Sequence, residues 1–149
     1  MMIRWLVASL HLIALGLGLG GIWARGKALG SVTEPGALKR VFFADTLWGI
    51  AALLWIGTGV WRAFGGLEKG SDYYLSQPTF HLKMGLLILI LLLEIWPMIT
   101  LVRWRIQSAK GQVLDTSRAR TFAAISYVQA LLVVLMVFAA TAMARGLRP

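Results

Sequence analysis

A chain of 149 residues that is 58% hydrophobic and 14% charged, with a mean hydropathy of +0.74, has too little polar surface to cover a water-soluble globule of this size; it is an integral membrane protein. Cysteine is absent, which rules out a disulfide framework, thiolate metal sites, iron–sulfur clusters and covalent c-type haem attachment. The net charge of +9 is not a nucleic-acid footprint, because the basic residues sit at the ends of apolar runs, where they flank membrane spans.

The apolar runs predict four spans. Roughly 20 residues at ~1.5 Å rise cross a hydrocarbon core of ~30 Å. Span 1, residues 3–23, is too long for a signal h-region and carries His11 and the run Leu15 to Gly21 between Trp5 and Trp23. Gly16, Gly18 and Gly21 match G-x-G-x-x-G, but that fingerprint must join a strand to a helix. Inside a membrane helix the glycines are expected to admit another helix, or a flat cofactor, to close range. A loop from Ala24 to Arg40, turning at Glu34-Pro35-Gly36, leads to span 2, residues 41–61, with Asp45 one turn inside. Its small residues Gly49, Ala52 and Gly59 are expected to face the bundle.

Loop 2, Arg62 to Pro78, holds Glu68, Lys69, Asp72, Tyr73 and Tyr74, the tyrosines at headgroup level. Span 3, residues 79–104, opens with His81 and Lys83 and carries Glu94 just before Pro97. A basic loop with Asp115, Thr116 and Ser117 as candidate caps precedes span 4, residues 120–144, whose polar members are Ser126, Tyr127 and Gln129. The fold class expected is an all-α integral membrane four-helix bundle, one domain with no soluble part.

Basic residues orient the bundle. Arg25, Lys27, Lys39, Arg40, Arg103, Arg105, Lys110, Arg118 and Arg120 fall at the end holding loops 1 and 3; Arg4, Arg62, Lys69, Arg145 and Arg148, with Lys83 if it snorkels, fall at the other. Positive-inside logic makes the first end cytoplasmic and puts both termini outside.

Ionisable groups within spans are costly and so are functional hypotheses. His11 and His81, the chain's two histidines, lie on parallel helices in the half nearer the termini. Two neutral imidazoles can ligate one b-type haem as iron ligands above and below the ring, with Gly18 and Gly85 leaving room for the macrocycle. The plainer alternative is that each histidine hydrogen-bonds across a helix interface. Asp45 and Glu94 fall together in the cytoplasmic half, either relaying protons or pairing with Arg40, Arg103 or a backbone donor. Around span 3 Glu94 lies ~20° from Lys83 but ~140° from His81, so it does not aim at the histidine's centre.

The stretches LHLIALGLGLGG (from Leu10), FFADTLWGIAALLWIGTG (from Phe42), EKGSDYYL (from Glu68), FHLKMG (from Phe80), LLLEIWPMITLVRWR (from Leu91) and MVFAATAMARG (from Met136) resemble an uncharacterised bacterial family of small predicted membrane proteins, a domain of unknown function of the DUF2214 type. That likeness spans nearly the whole chain and implies no activity. Leu10-His11 and His81-x-Lys83 are also similar to motifs of the haem-dependent membrane protoporphyrinogen oxidase family, and the copper-resistance membrane domain family has a similar first-span histidine. The oxidase resemblance implies haem ligation by His11 and His81 and a functional Lys83. This chain lacks a second histidine at the end of span 1 and has Glu94 where that family tends to place another, so the oxidase reaction is left open.

The function expected is therefore b-type haem binding in a bacterial cytoplasmic membrane, for electron transfer or a haem-linked oxidation. Lys83, Asp45 and Glu94 are the catalytic candidates, and a redox partner or quinone, besides the lipid bilayer, is the expected partner. A cofactor-free structural or assembly subunit and a small transporter are the alternatives.

Overall fold

The structure is a computed structural model that describes residues 2–64 and 78–144. Residues 65–77 of loop 2, with its tyrosine pair, and Arg145 and Arg148 lie outside the described residues. Among the described residues there are four helices, α1 (Met2–Gly30), α2 (Ala37–Phe64), α3 (Pro78–Ala109) and α4 (Ala119–Ala144), and each is long and apolar enough to cross a membrane. Close backbone packing joins α1 to α2, α1 to α4 and α3 to α4. Long side chains bridge α2 and α3.

The buried positions explain why these helices pack as they do. On α1 they include Val7, His11, Ala14, Gly18, Gly21, Arg25 and Ala28, on α2 Ala37, Val41, Ala44, Trp48, Ala51 and Thr58, and on α3 Ile90, Pro97, Leu101 and Trp104. Such steps of three and four keep one stripe of an α-helix turned toward its neighbours. The remaining faces carry Leu, Ile, Trp and Phe to lipid, among them Trp5, Trp23, Phe43, Leu53 and Phe138. One expectation fails on this point: Gly49 is exposed, with open space where a side chain would stand, and the stripe of α2 that faces the bundle runs instead through Ala44, Trp48 and Ala51.

The helix ends follow local chemistry. After α1 the chain turns through Gly36, whose φ of 76° suits a residue without Cβ. After α3, Gly111 at φ 71° closes the helix: its N–H donates to Ser108 O at 3.1 Å and the N–H of Gln112 to Gln107 O at 2.9 Å, a Schellman motif. Before α4, the Ser117 N–H donates to Asp115 Oδ1 at 3.0 Å. Ser117, through its hydroxyl and then its backbone N–H, holds the Asp115 carboxyl below the usual value.

Gly21 sets the α1–α2 spacing. A Cβ there would stand 3.0 Å from Trp48 N and 3.2 Å from its Cα, backbone that yields only if α2 moves. Gly21→Ala should therefore cost about 1–3 kcal/mol through overpacking. Gly16→Ala, which meets nothing within 4 Å, should be neutral or slightly stabilising because alanine favours the helix. Thermal unfolding in detergent checks the pair, and equal midpoints for both variants would refute the account.

Candidate functional site

Two polar constellations stand in the bundle, about two heptads apart along α1. His11 and Arg25 are separated by fourteen residues, ~21 Å of helix, on the same buried stripe. Between them lies an apolar cluster that includes Ile22, Trp48, Ile90, Val133 and Met136. Beyond Arg25 lies a second, with Leu29, Val41, Leu101, Trp104 and Phe122.

Arg25 is the centre of the first constellation and is fully buried. The sequence placed it in a loop as a membrane-flanking charge; α1 instead continues past Trp23 to Gly30 and carries Arg25 into the interior. Its Nε donates to Ser126 Oγ at 3.0 Å, and Nη1 to Asp45 Oδ1 at 2.9 Å and Glu94 Oε2 at 3.0 Å. Nη2 donates to Glu94 Oε1 at 2.9 Å and Gln129 Oε1 at 2.8 Å. A guanidinium has five N–H groups, and all five are met. Gln129 Nε2 turns to Ile90 O and Glu94 Oε1, both at 3.1 Å, and the Ser126 hydroxyl donates to Phe122 O at 2.9 Å. Arg105 completes the layer, donating to Asp45 Oδ2 at 3.3 Å, Phe42 O at 2.8 Å and Thr46 Oγ1 at 2.9 Å.

Two guanidinium groups and two carboxylates make this layer neutral, and every helix contributes a member. The expected pairing of Asp45 and Glu94 with cations holds in kind but not in partner. Arg40 lies 3.8 Å from Glu34 in the loop, and Arg103 lines a cavity farther along α3. Burying a charge is costly unless its hydrogen-bonding capacity is met, and the five satisfied donors of Arg25 meet that condition.

The second constellation surrounds His11. Its Nδ1 lies 2.8 Å from Thr58 Oγ1, and the single hydrogen of that hydroxyl points to Leu54 O at 2.7 Å. With that hydrogen committed to Leu54 O, the His11 ring donates from Nδ1 to Thr58 Oγ1. The imidazole stacks on Trp55, with centroids 5.3 Å apart and planes at 14°. Gly59 makes room for it, since a Cβ there would stand 3.0 Å from His11 Cε1. Lys83 Nζ lies 5.6 Å from the centroid of the same Trp55 ring, so His11 of α1 and Lys83 of α3 meet around one side chain of α2. The Trp55 Nε1–H is buried with no hydrogen-bond partner among the described residues, an arrangement that costs about 1–3 kcal/mol.

His81 is exposed, one turn into α3. Gly85 is exposed with nothing within 4 Å of its would-be Cβ, whereas Gly18 sits against Ala51 and Trp48 at 3.5 and 3.7 Å, the close helix approach that its lack of a side chain permits. Among the described residues no group of three or more His, Asp and Glu side chains is placed to hold a metal ion. Sequence reasoning missed Arg25, Arg105, Trp55 and Thr58. The signal for Arg25 was its place seven residues after Gly18 and fourteen after His11, on one continuous stripe.

Four membrane-spanning helices, a neutral ionic layer and a histidine seat on a separate level define a small polytopic membrane protein with a polar interior. The chain belongs to the predicted membrane protein family DUF2214, which it matches over residues 3–148. No curated protein and no solved structure matches it.

Proposed function

We propose that this protein binds one b-type haem in the half of the bundle that holds the N-terminus, with His11 and His81 as axial ligands, and serves electron transfer or a haem-linked oxidation in a bacterial cytoplasmic membrane. The observation that carries the proposal is the orphaned Trp55 Nε1–H beside His11 and Lys83. A buried donor and a nearby cation suit a ligand with an anionic acceptor, and haem b carries two carboxylates. On the His11 side, the bond from Nδ1 to Thr58 is the kind of outer-shell contact that orients a ligating imidazole.

When bound, haem supplies one-electron redox chemistry. The protein's own residues orient one imidazole through Thr58, leave room for it at Gly59 and bring the charge of Lys83 to the site. A membrane quinone or a redox protein would then exchange electrons with it. A small transporter would need a polar path from the histidines to Asp45 and Glu94, and the level between them is the cluster of Ile22, Trp48, Ile90, Val133 and Met136. The ionic layer ties all four helices without any ligand, and that favours a cofactor-free structural subunit as the second reading.

Purification in mild detergent from cells supplied with haem precursor, followed by oxidised and reduced spectra, separates the two. A low-spin signal that sharpens on reduction is expected; a colourless, folded, iron-free preparation would leave the structural subunit. Trp55→Phe, which keeps the ring but removes the N–H, should lower haem retention without destabilising the haem-free chain. For orientation, a reporter fused after Pro149 should be active outside the cytoplasm and one near Gly111 inside it. The reverse pattern would place the histidines in the cytoplasmic half.

A further inference from the structure

We infer that the cavity beside the α3–α4 connection is a binding site for the phosphodiester headgroup of an anionic phospholipid. The cavity measures about 280 Å³ and is lined by α3 and by the connection and first turn of α4, with Trp96, Arg103, Trp104, Arg118 and Phe122 in its wall. It lies beyond the ionic layer, toward the end of the bundle where loops 1 and 3 leave the membrane.

Three features specify the ligand. Charge is the first: Arg103 and Arg118 face one acid, Asp115, for a local balance of two minus one, or +1. Asp115 is turned to its own chain, accepting from the Ser117 N–H at 3.0 Å. Arg103 is exposed and has no hydrogen bond or ion pair among the described residues, while the Arg118 guanidinium lies over Trp96 at 5.5 Å. Guanidinium groups suit phosphate oxygens because their planar N–H fork matches two acceptors.

The floor is the second feature. Phe122 is 1% exposed and is met edge-on by Trp96 at 4.9 Å and Trp104 at 6.3 Å, so the apolar base is fixed before any ligand arrives. The third is the surroundings. Val113, in the connection, stands 97% exposed on the lining, and Ile95, Ile99 and Val102 lie exposed along α3. A soluble anion gives these apolar groups no cover, whereas a lipid seats its phosphate between the arginines and lays its chains along α3. Ligand pockets commonly hold ~300–1,000 Å³, so this one is sized for a headgroup and not for acyl chains. Basic pockets at the ends of spans take anionic lipid headgroups for the same electrostatic reason.

Thermal unfolding of the purified full chain in non-ionic detergent tests the site. Added phosphatidylglycerol should raise the midpoint by several degrees, while phosphatidylcholine and inorganic phosphate at matched concentration should not. The double variant R103Q/R118Q should lose the phosphatidylglycerol-specific rise, and D115N, which keeps an oxygen for the Ser117 N–H, should retain or enlarge it. If the double variant does not fold, R103Q alone serves, because Arg103 has no hydrogen bond or ion pair among the described residues to lose, and its rise should shrink. Equal shifts from the two lipids, an undiminished rise in the arginine variants, or a rise from inorganic phosphate as large as that from the lipid would each overturn the inference.

Discussion

Arg25→Leu should destabilise the bundle by about 3–5 kcal/mol, the usual consequence of removing one partner from a buried ion pair. Asp45 and Glu94 would lose their shared counter-charge, and the oxygens of Gln129 and Ser126 would lose a donor. Only Arg105, which reaches Asp45 Oδ2 at 3.3 Å, would remain to offset them. Arg25→Lys should recover little, because one ammonium cannot span the acceptors that three guanidinium nitrogens meet from four directions. The triple variant R25L/D45N/E94Q should recover a large part of the loss, since the penalty lies in the charges left unpaired and not in the missing bonds. Chemical or thermal unfolding in detergent measures all three. A wild-type midpoint for Arg25→Leu would mean that water or lipid headgroups reach the layer and that it does not hold the helices together.

His11→Ala should abolish the low-spin haem spectrum altogether, or convert it to high-spin, while leaving the fold intact. The histidine contributes its stacking on Trp55 and its bond to Thr58, local contacts beside four packed helices, whereas iron would lose one of its two strong-field nitrogens. His81→Ala should do the same, and Met84→Leu should do nothing. Thr58→Val is the finer test: it keeps the shape of the side chain but removes the acceptor that holds the imidazole's Nδ1–H. Outer-shell partners of this kind are worth roughly 10–100-fold in metal affinity, so haem should be retained weakly and not lost. A haem spectrum that survives both histidine substitutions would sink the ligation scheme, and a Thr58→Val protein identical to wild type would remove the role given to that bond.

Glu94→Gln probes the ionic layer without removing its frame, because the amide oxygen can still accept from Arg25. A haem-loaded protein should keep its cofactor, given the apolar cluster that separates the two levels. If the midpoint potential or turnover of both Glu94→Gln and Asp45→Asn has the pH dependence of the wild type, the carboxylates pair and do not relay protons.

The sequence by itself determined the number of spans, their order and the class of protein, because a hydrocarbon core forces every backbone polar group into an internal hydrogen bond and leaves long apolar helices as the solution. It also placed Asp45 and Glu94 in one half and His11 in the other, since rise per residue converts position in a span directly into depth. Polar residues at Asp115 and Ser117 were legible as the helix approach for a similar reason, because the contact is local: the Ser117 N–H meets Asp115 Oδ1 in the turn before α4. What only the tertiary structure decided is which cation meets which carboxylate and what seats the histidine. Arg25 follows Trp23 at the end of an apolar run, where a charge ordinarily reaches water; only the packing of α2, α3 and α4 around it makes the interior the better solvent, by supplying five acceptors at once. Trp55 and Thr58 were read as part of an apolar span for the same reason. Depth is a property of one helix, but a hydrogen-bond partner across the bundle depends on how four helices are rotated about their axes, and that rotation is set by contacts such as Gly21 on Trp48 that no single segment contains.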